Sequence, residues 1–238
     1  MSTRRMMVVG AHSADFVWRA AGAVACHTAA GGEAVVVALS YGERGESGKL
    51  WEEPGQTEEN VKRIRHAEAE KAAGAVGARF EALDLGDYPL RVGPESVDRL
   101  AEMMRDFAPN VVLTHPKEDP FNPDHPAAHA AVAQARLLTS GAGVASGFRT
   151  APPSEFLTFE PHQPELCNFT PTVYVDITPV YESKVEAMAA MQAQEYLREY
   201  YGQRADQRGN HARKVTGDSG IRQAEAFERL LPNVVTSL

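Results

Sequence analysis

A histidine and an aspartate follow a short apolar run near the start of the chain. Residues 6–9 (MMVV) end in Gly-Ala, and His12 and Asp15 come next. An apolar run of this length closed by glycine is typical of a buried strand. One imidazole nitrogen and one carboxylate oxygen are two of the protein ligands that a catalytic zinc site uses. The structural alternative is that Asp15 caps the helix that follows and His12 packs against it.

A second His/Asp cluster follows a second apolar run, residues 110–113 (NVVL). The next segment, 114–129, reads THPKEDPFNPDHPAAH, and His125 stands at the start of a helix-like stretch. His125 is therefore a third candidate ligand, and an aspartate beside a ligating histidine can fix the orientation of an imidazole. By itself this segment reads as a proline-rich polar loop. Two such clusters after two strands predict a metal site, for which manganese, cobalt and iron are alternatives to zinc.

The elements that must position these residues alternate between strand and helix. Besides the first strand, the patterns predict strands at 33–40, 79–85, 111–114, 155–160 and 172–176. They predict helices at 16–30, 57–76, 94–107, 125–138, 180–192, 194–208 and 218–230. Alternation with short connections predicts an α/β fold with a mostly parallel sheet and helices on both faces. On the helix at 194–208, Arg204 and Arg208 share a face and are expected to form a solvated stripe; the alternative is that they reach the site of a neighbouring subunit.

Composition narrows the classes of function. The 238 residues are 43% hydrophobic and 24% charged, as in an ordinary globular protein, and favour one domain over residues 1–238. The net charge of −8 argues against a nucleic-acid partner. No apolar run approaches membrane-spanning length, and the first one is too short for a signal peptide. With two cysteines, too few for a disulfide framework, a cytoplasmic enzyme is expected.

Three short motifs resemble the LmbE/PIG-L zinc deacetylase superfamily. They are AHSAD at 11–15 after the first strand, GERG at 42–45 after the second, and PDH at 123–125. The resemblance implies a Rossmann-like α/β fold and one zinc ion as cofactor. It also implies that the zinc ligands are His12, Asp15 and His125.

The first motif departs from the superfamily pattern at one chemically important position. The usual sequence is AHPDDE, in which the first aspartate is the general base. Here that position is Ala14, and Phe16 replaces the glutamate. Alanine cannot accept a proton, and hydrolysis of an amide at a zinc site needs a positioned proton acceptor. We therefore expect a reaction other than deacetylation.

Longer stretches resemble a zinc-dependent hydratase branch of the same superfamily. They are AHSADFVWR (11–19), SYGERGES (40–47), GDYP (86–89), DPFNPDHP (119–126), FEPHQPE (159–165) and EYY (199–201). This resemblance runs nearly end to end. It implies addition of water to 4-oxalomesaconate, a tricarboxylic keto acid, or to its enol tautomer, giving 4-carboxy-4-hydroxy-2-oxoadipate in gallate and protocatechuate breakdown. It also implies a homo-oligomer.

A hydratase needs a group that moves a proton. Glu46, in the loop after the second strand, is the first candidate, and Glu43 in the same loop competes with it. His162 lies between two prolines, which stiffen its backbone. Asp124 is a further candidate. The structural alternatives are a solvated loop carboxylate for each glutamate and a backbone-capping role for His162.

A tricarboxylate substrate also needs cationic and polar partners. Arginine binds carboxylates at two points better than lysine does. Arg19, Arg44 and Lys49 follow the first two strands and are the candidate carboxylate-binding residues. Tyr88 and Asn122 add a hydroxyl and an amide.

Two other functions stay open at this stage. One is deacetylation of an N-acetyl sugar or a related amide, with Asp124 or Glu46 in place of the missing base. The other is a non-catalytic domain that binds a metal or a ligand.

Overall fold

The computed structural model describes residues 3–144 and 149–234. Within them, one sheet contains strands β1 (Arg5–Gly10), β2 (Glu33–Ala38), β3 (Arg79–Ala82), β4 (Val111–Thr114), β5 (Glu155–Phe159), β6 (Val173–Asp176) and β7 (Ala224–Arg229). The helices are α1 (Asp15–Arg19), α2 (Ala21–Ala29), α3 (Gly48–Trp51), α4 (Glu58–Ala75), α5 (Pro94–Phe107), α6 (Asp124–Leu138), α7 (Tyr181–Ala190) and α8 (Leu197–Thr216). None of these helices is long and apolar enough to cross a bilayer.

The strand order of the sheet creates a crevice beside β1. The order is β3-β2-β1-β4-β5-β7-β6, in which β1 to β5 run parallel and β7 is antiparallel to both neighbours. The chain leaves β1 toward β2 on one side and later returns to β4 on the other. Open α/β sheets bind their ligands at the carboxyl ends of the two strands that flank such a reversal. The predicted α/β fold with a mostly parallel sheet is confirmed.

Strand β1 is buried on both faces of the sheet. Met6 and Val8 belong to an apolar cluster that α2, α4 and α7 complete. Met7 and Val9 belong to the opposite cluster, which α5 and α6 complete. Because successive side chains of a strand point to opposite faces, an unbroken apolar run is what such a strand requires. The predicted covering of both faces by helices is confirmed.

The turn between α1 and α2 is held by a buried ion pair from two distant elements. The Glu225 carboxylate of β7 accepts the backbone N–H groups of Gly22 at 3.0 Å and Ala23 at 2.7 Å. Lys184 of α7 donates to Glu225 Oε1 at 2.6 Å and to the carbonyl of Trp18 at 2.9 Å. The Glu225 carboxylate thus caps the start of α2, and the Lys184 ammonium caps the end of α1.

The predicted helix at 218–230 is wrong, because this segment forms strand β7 (Ala224–Arg229). Its sequence, AEAFER, consists largely of good helix formers, which favoured the helix prediction. In the folded chain it pairs with both β5 and β6 and buries Phe227. Tertiary pairing therefore overrides local propensity.

The predicted end of the last long helix is also wrong. Helix α8 continues past residue 208 to Thr216 and ends at Gly217, which has a φ of 76°. Gly209 is the residue after the predicted end of this helix. A Cβ atom at this position would lie 1.9 Å from the carbonyl oxygen of Arg222. This glycine therefore allows close approach of two backbones inside a continuous helix.

Candidate active site

The turn after β1 brings the first two predicted ligands together. Asp15 begins α1, and its Oδ2 atom accepts the backbone N–H of His12 at 2.7 Å. A Cβ atom on Gly10 would lie 2.9 Å from the Cβ atom of Asp15, so the residue at this position must be small. Local sequence thus places both side chains at the carboxyl end of β1.

His125, at the start of α6, completes a buried cluster with His12 and Asp15. One candidate ligand atom from each residue lies within 4.8 Å of the other two. His12 Nδ1 is 3.5 Å from Asp15 Oδ2, and His125 Nε2 is 3.7 Å from Asp15 Oδ1. Both nitrogens are buried and have no hydrogen-bond partner among the described residues. Tetrahedral ligands about 2 Å from a shared ion lie about 3.3 Å apart, so the three residues fit a divalent cation.

The second nitrogen of each candidate ligand is paired with a carboxylate. His12 Nε2 lies 3.2 Å from Asp124 Oδ2, and His125 Nδ1 lies 2.7 Å from Asp119 Oδ2. Such pairing fixes the tautomer and orientation of a metal-binding imidazole. The sequence analysis assigned no role to Asp119, although this residue lies in the same proline-rich segment as His125. Its position, six residues before His125, is the feature that could have indicated this role.

Asp124, predicted as an acid–base residue, lies behind His12 and not on a cavity wall. Besides His12, its carboxylate accepts the backbone N–H groups of Tyr88 at 2.9 Å and Leu90 at 2.8 Å. Burial opposes ionisation of the carboxyl, but these bonds outweigh it and lower the pKa of Asp124 to about 2. The geometry places Asp124 as a group that orients His12.

The electrostatic surroundings of the two imidazoles differ. Burial disfavours a charged His12, yet hydrogen bonds with Asp124 and Asp15 outweigh it and raise the pKa of His12 to about 10. Burial, followed by repulsion from His115, lowers the pKa of His125 to about 3. The His115 and His125 rings are stacked with centroids 3.9 Å apart. The carboxylates thus stabilise a positive charge at His12, where a bound cation would displace the proton of the imidazole, whereas His125 is already neutral, as a ligand must be.

A cavity of about 310 Å³ opens beside the cluster. His12, Asp15 and His125 lie on its wall, together with Ala14. It brings together five other predicted residues: Arg19, Glu46, Tyr88, Asn122 and His162. Its wall also includes residues to which the sequence analysis assigned no role: Asp119, Gln163, Gln194 and Tyr196.

Glu46 is held at the cavity wall by side chains from three other segments. Its Oε1 atom accepts Asn122 Nδ2 at 2.9 Å and the Tyr88 hydroxyl at 3.4 Å. Its Oε2 atom accepts Gln194 Nε2 at 2.8 Å. The carboxylate is 23% exposed, and Oε1 lies 3.9 Å from His12 Nδ1. A carboxylate thus stands beside the candidate metal site although Ala14 supplies none.

The loop glycine before Glu46 makes room for Tyr88. A Cβ atom on Gly45 would lie 2.1 Å from the Tyr88 ring. Burial and the neighbouring carboxylates of Glu46 and Asp124 raise the pKa of Tyr88, so its hydroxyl keeps its proton. Tyr88 therefore acts as a hydrogen-bond donor to Glu46.

Glu43, the competing carboxylate, points away from the cavity. Its side chain is fully buried, and Oε2 accepts the backbone N–H of Tyr41 at 3.1 Å. Its Oε1 atom lies 3.6 Å from Lys62 Nζ. Glu46 is therefore the glutamate of this loop that lies on the cavity wall.

The three predicted carboxylate-binding cations are not brought together. Arg19 lies on the cavity wall, and its side chain is 8% exposed. Arg44 instead pairs with Glu58 at 3.1 Å, and Lys49 pairs with Glu195, and neither cation is among the residues that line the cavity. The side chains of Arg44 and Lys49 are about half exposed.

His162 lies on the cavity wall, in a loop that is held by contacts with α8. Its ring stacks on Tyr200 with centroids 4.1 Å apart. Its carbonyl accepts the Tyr200 hydroxyl and Arg204 Nη2, the latter at 3.3 Å. Burial, and then the charges of Arg19 and Arg204, lower the pKa of His162, so the imidazole is neutral at neutral pH.

The predicted solvated stripe of Arg204 and Arg208 is wrong. Both guanidinium groups bind the buried carboxylate of Glu160, just after β5. Sequence spacing placed the two arginines on one helix face but carried no information about the carboxylate that this face meets.

A known protein family matches the part of the chain that contains the candidate metal ligands. The family model described as PIG-L, GlcNAc-PI de-N-acetylase, matches residues 7–136, which include all three candidate metal ligands. The chain belongs to the PIG-L family. The match ends before β5, so Gln163 and Gln194 lie outside the matched residues.

Two hydratases are similar to this chain over nearly its whole length. The chain is 43% identical over 235 residues to a Pseudomonas putida protein named 4-oxalmesaconate hydratase, covering 98% of this chain and 91% of the relative. The crystal structure of a 4-carboxy-2-hydroxymuconate hydratase from Pseudomonas putida KT2440 matches with a TM-score of 0.96, 42% identity and coverage of 99% and 100%.

A deacetylase of known structure shares the fold at low identity. The N,N′-diacetylchitobiose deacetylase from Pyrococcus horikoshii matches with a TM-score of 0.78 and 18% identity, covering 95% of this chain and 84% of that one. This likeness supports the architecture of the sheet and its helices. It carries no information about the reaction.

Proposed function

We propose that this PIG-L family member is a zinc-dependent hydratase that adds water to 4-oxalomesaconate or its enol tautomer. The observation that carries the proposal is the position of Glu46, 3.9 Å from His12 Nδ1, in a cavity where Ala14 offers no carboxylate. The base has moved from the turn after β1 to the loop after β2. The hydratases named among the relatives support the choice of substrate.

The residues that would hold the metal are His12, Asp15 and His125. When bound, zinc would supply positive charge that stabilises negative charge on an oxygen of the substrate. Arg19 is positioned to bind a substrate carboxylate, since its guanidinium lines the cavity next to Asp15. A fixed guanidinium favours one orientation of a planar carboxylate.

Glu46 moves the proton. In this scheme its carboxylate removes a proton from the attacking water, whose oxygen bonds to the double-bond carbon that carries no hydrogen and becomes C4 of the product. The π electrons shift to the neighbouring carbon, and Glu46 returns its proton there. One water O–H bond and one π bond break, one C–O and one C–H bond form, and Glu46 ends as it began.

His162 supports the same step as a neutral hydrogen-bonding group. Its lowered pKa keeps the imidazole uncharged at neutral pH, and its ring is fixed by Tyr200. We assign it a hydrogen bond to a carbonyl or carboxylate oxygen of the substrate. This role stabilises developing charge without consuming a proton.

The test compares turnover of purified, zinc-loaded variants with 4-oxalomesaconate. Glu46→Gln keeps the size of the side chain but cannot take a proton, so kcat is expected to fall by about two orders of magnitude or more while KM and zinc content change little. Glu52→Gln, an exposed carboxylate of the same loop region, is the matched control. Near-normal turnover of Glu46→Gln together with loss in Glu43→Gln or His162→Asn would move the role to that residue.

The same protein is expected to release negligible acetate from N-acetylated sugars, because the deacetylase base is absent at Ala14. Acetate release and hydration are measured side by side on one preparation. Robust deacetylation by the unmodified chain would refute the hydratase proposal.

A further inference from the structure

The carboxylate of Glu46 is fixed by two amide side chains, one on each oxygen. Asn122 donates to Oε1 at 2.9 Å, and Gln194 donates to Oε2 at 2.8 Å. Gln194 lies 148 positions further along the chain, in a 3-10 turn between α7 and α8. Because the two donors act on different oxygens, rotation of the carboxylate would break a bond to each.

The orientation of the Gln194 amide is set by two groups that can only donate. Its Oε1 atom accepts Arg65 Nη2 at 3.0 Å and the Trp18 indole N–H at 3.4 Å. Neither a guanidinium nor an indole N–H can accept a hydrogen bond. The amide oxygen must therefore face these two groups, and the amide nitrogen must face Glu46.

Arg65 is itself locked in place. Its side chain is fully buried, and it donates to Glu68 Oε2 at 2.9 Å and to the carbonyl of Tyr41 at 3.3 Å. The other oxygen of Glu68 accepts the backbone N–H of Ala193 at 2.9 Å. One buried ion pair on α4 thus fixes the Gln194 side chain and the backbone just before it. Such a pair contributes little net stability, so its value here lies in geometry.

We propose that Gln194 is a positioning residue for Glu46, with Arg65 and Trp18 setting its donor face. The inference rests on the proposed function, in which Glu46 moves the proton. Without the hydrogen bond from Gln194, the Glu46 carboxylate rotates away from the line that joins the attacking water to the substrate carbon. A small misplacement of a catalytic group lowers turnover more than binding, so kcat is expected to fall about 10- to 100-fold.

Two substitutions separate positioning from packing. Gln194→Glu keeps the size and the acceptor for Arg65 but replaces the donor to Glu46 with an oxygen. Gln194→Met removes both. We expect kcat to fall at least about tenfold in both variants, with KM within about threefold. Gln192→Met, an exposed glutamine of the same turn, is the matched control and is expected to keep wild-type kcat.

A double-mutant cycle with Glu46→Gln completes the test. If Gln194 acts through Glu46, then Gln194→Met lowers kcat in the wild-type background and causes no further fall in the Glu46→Gln background. Additive losses, a Gln194→Glu variant with wild-type kcat, or a change confined to KM would each overturn the positioning role. Wild-type kcat in Glu46→Gln alone would instead show that the proposed function of Glu46 has failed. If Gln194→Met does not fold, the same cycle is measured with Gln194→Glu in its place.

Discussion

Arg19 and Asp15 lie one turn apart on α1, and Arg19 Nη1 donates to Asp15 Oδ1 at 2.6 Å. The other oxygen of Asp15 accepts the backbone N–H of His12. The same guanidinium lines the cavity. A single cation therefore orients a candidate metal ligand and faces the space where a substrate would bind, which predicts that the two binding events are coupled.

Replacing this cation is expected to weaken both events. In Arg19→Met the KM for the tricarboxylate should rise about 10- to 100-fold, since a charge-assisted bond contributes about 1.5–3 kcal/mol. Zinc affinity should fall by about tenfold or more because Asp15 loses its orienting partner. Steady-state kinetics and a competitive zinc titration measure the two effects. Arg44→Met, whose guanidinium pairs with Glu58 outside the cavity, should leave both constants within about threefold.

The metal assignment predicts a loss of bound zinc in His12→Ala and in His125→Ala. Each variant removes one of three protein ligands, so the zinc content after dialysis should fall well below one ion per chain. Elemental analysis of the purified proteins measures it. His211→Ala, an exposed histidine on α8, should retain the wild-type content. Unchanged zinc in both ligand variants would refute the site.

The pH dependence of catalysis should respond to Arg204. His162 faces the charged groups Arg19, Arg204, Asp119 and Glu46, and its pKa lies below the ordinary 6.5. Protonation of the imidazole therefore begins only below that pH, and the acid limb of kcat/KM that it causes lies there. Arg204→Met removes one positive charge, which raises the pKa and moves this limb to higher pH.

The measurement is kcat/KM between about pH 5 and 9, the range in which a histidine changes charge. Lys214→Met, an exposed cation near the end of α8, is the control and should leave the limb in place. An acid limb that is unmoved in Arg204→Met would contradict the assigned environment of His162.

The buried pair of Lys184 and Glu225 predicts a large stability effect. Lys184→Met leaves the Glu225 carboxylate buried without its cation and the Trp18 carbonyl without its donor. The free energy of unfolding should fall by about 3–5 kcal/mol. Denaturant unfolding measures this change. Lys214→Met should alter stability by no more than about 0.5 kcal/mol, because its side chain is exposed.

The sequence was informative where the relevant geometry is local. His12 and Asp15 follow a strand and begin a helix within a few residues, so their position at the sheet edge could be predicted from the pattern. The same holds for His125 at the start of α6. The contact of Gln194 with Glu46 could not be predicted in this way, because it depends on how distant turns dock around the cavity.

Failures of the sequence-based predictions have the same cause. Strand β7 has the local composition of a helix, and only its two neighbours make it a strand. The predicted helix end at residue 208 is wrong because Gly209 lies inside α8, where it allows the backbone of Arg222 to approach. Arg208 resembles a surface residue because Glu160 lies 48 positions away.

The bonds from Glu225 to the first turn of α2 join residues more than 200 positions apart. During synthesis, residues 12–19 leave the ribosome long before residue 225 does. Until then the start of α2 lacks its buried acceptor and Lys184 lacks its counter-ion. The turn with the candidate ligands His12 and Asp15 is thus made early, whereas the junction of α1 and α2 behind it is secured only when β7 joins the sheet.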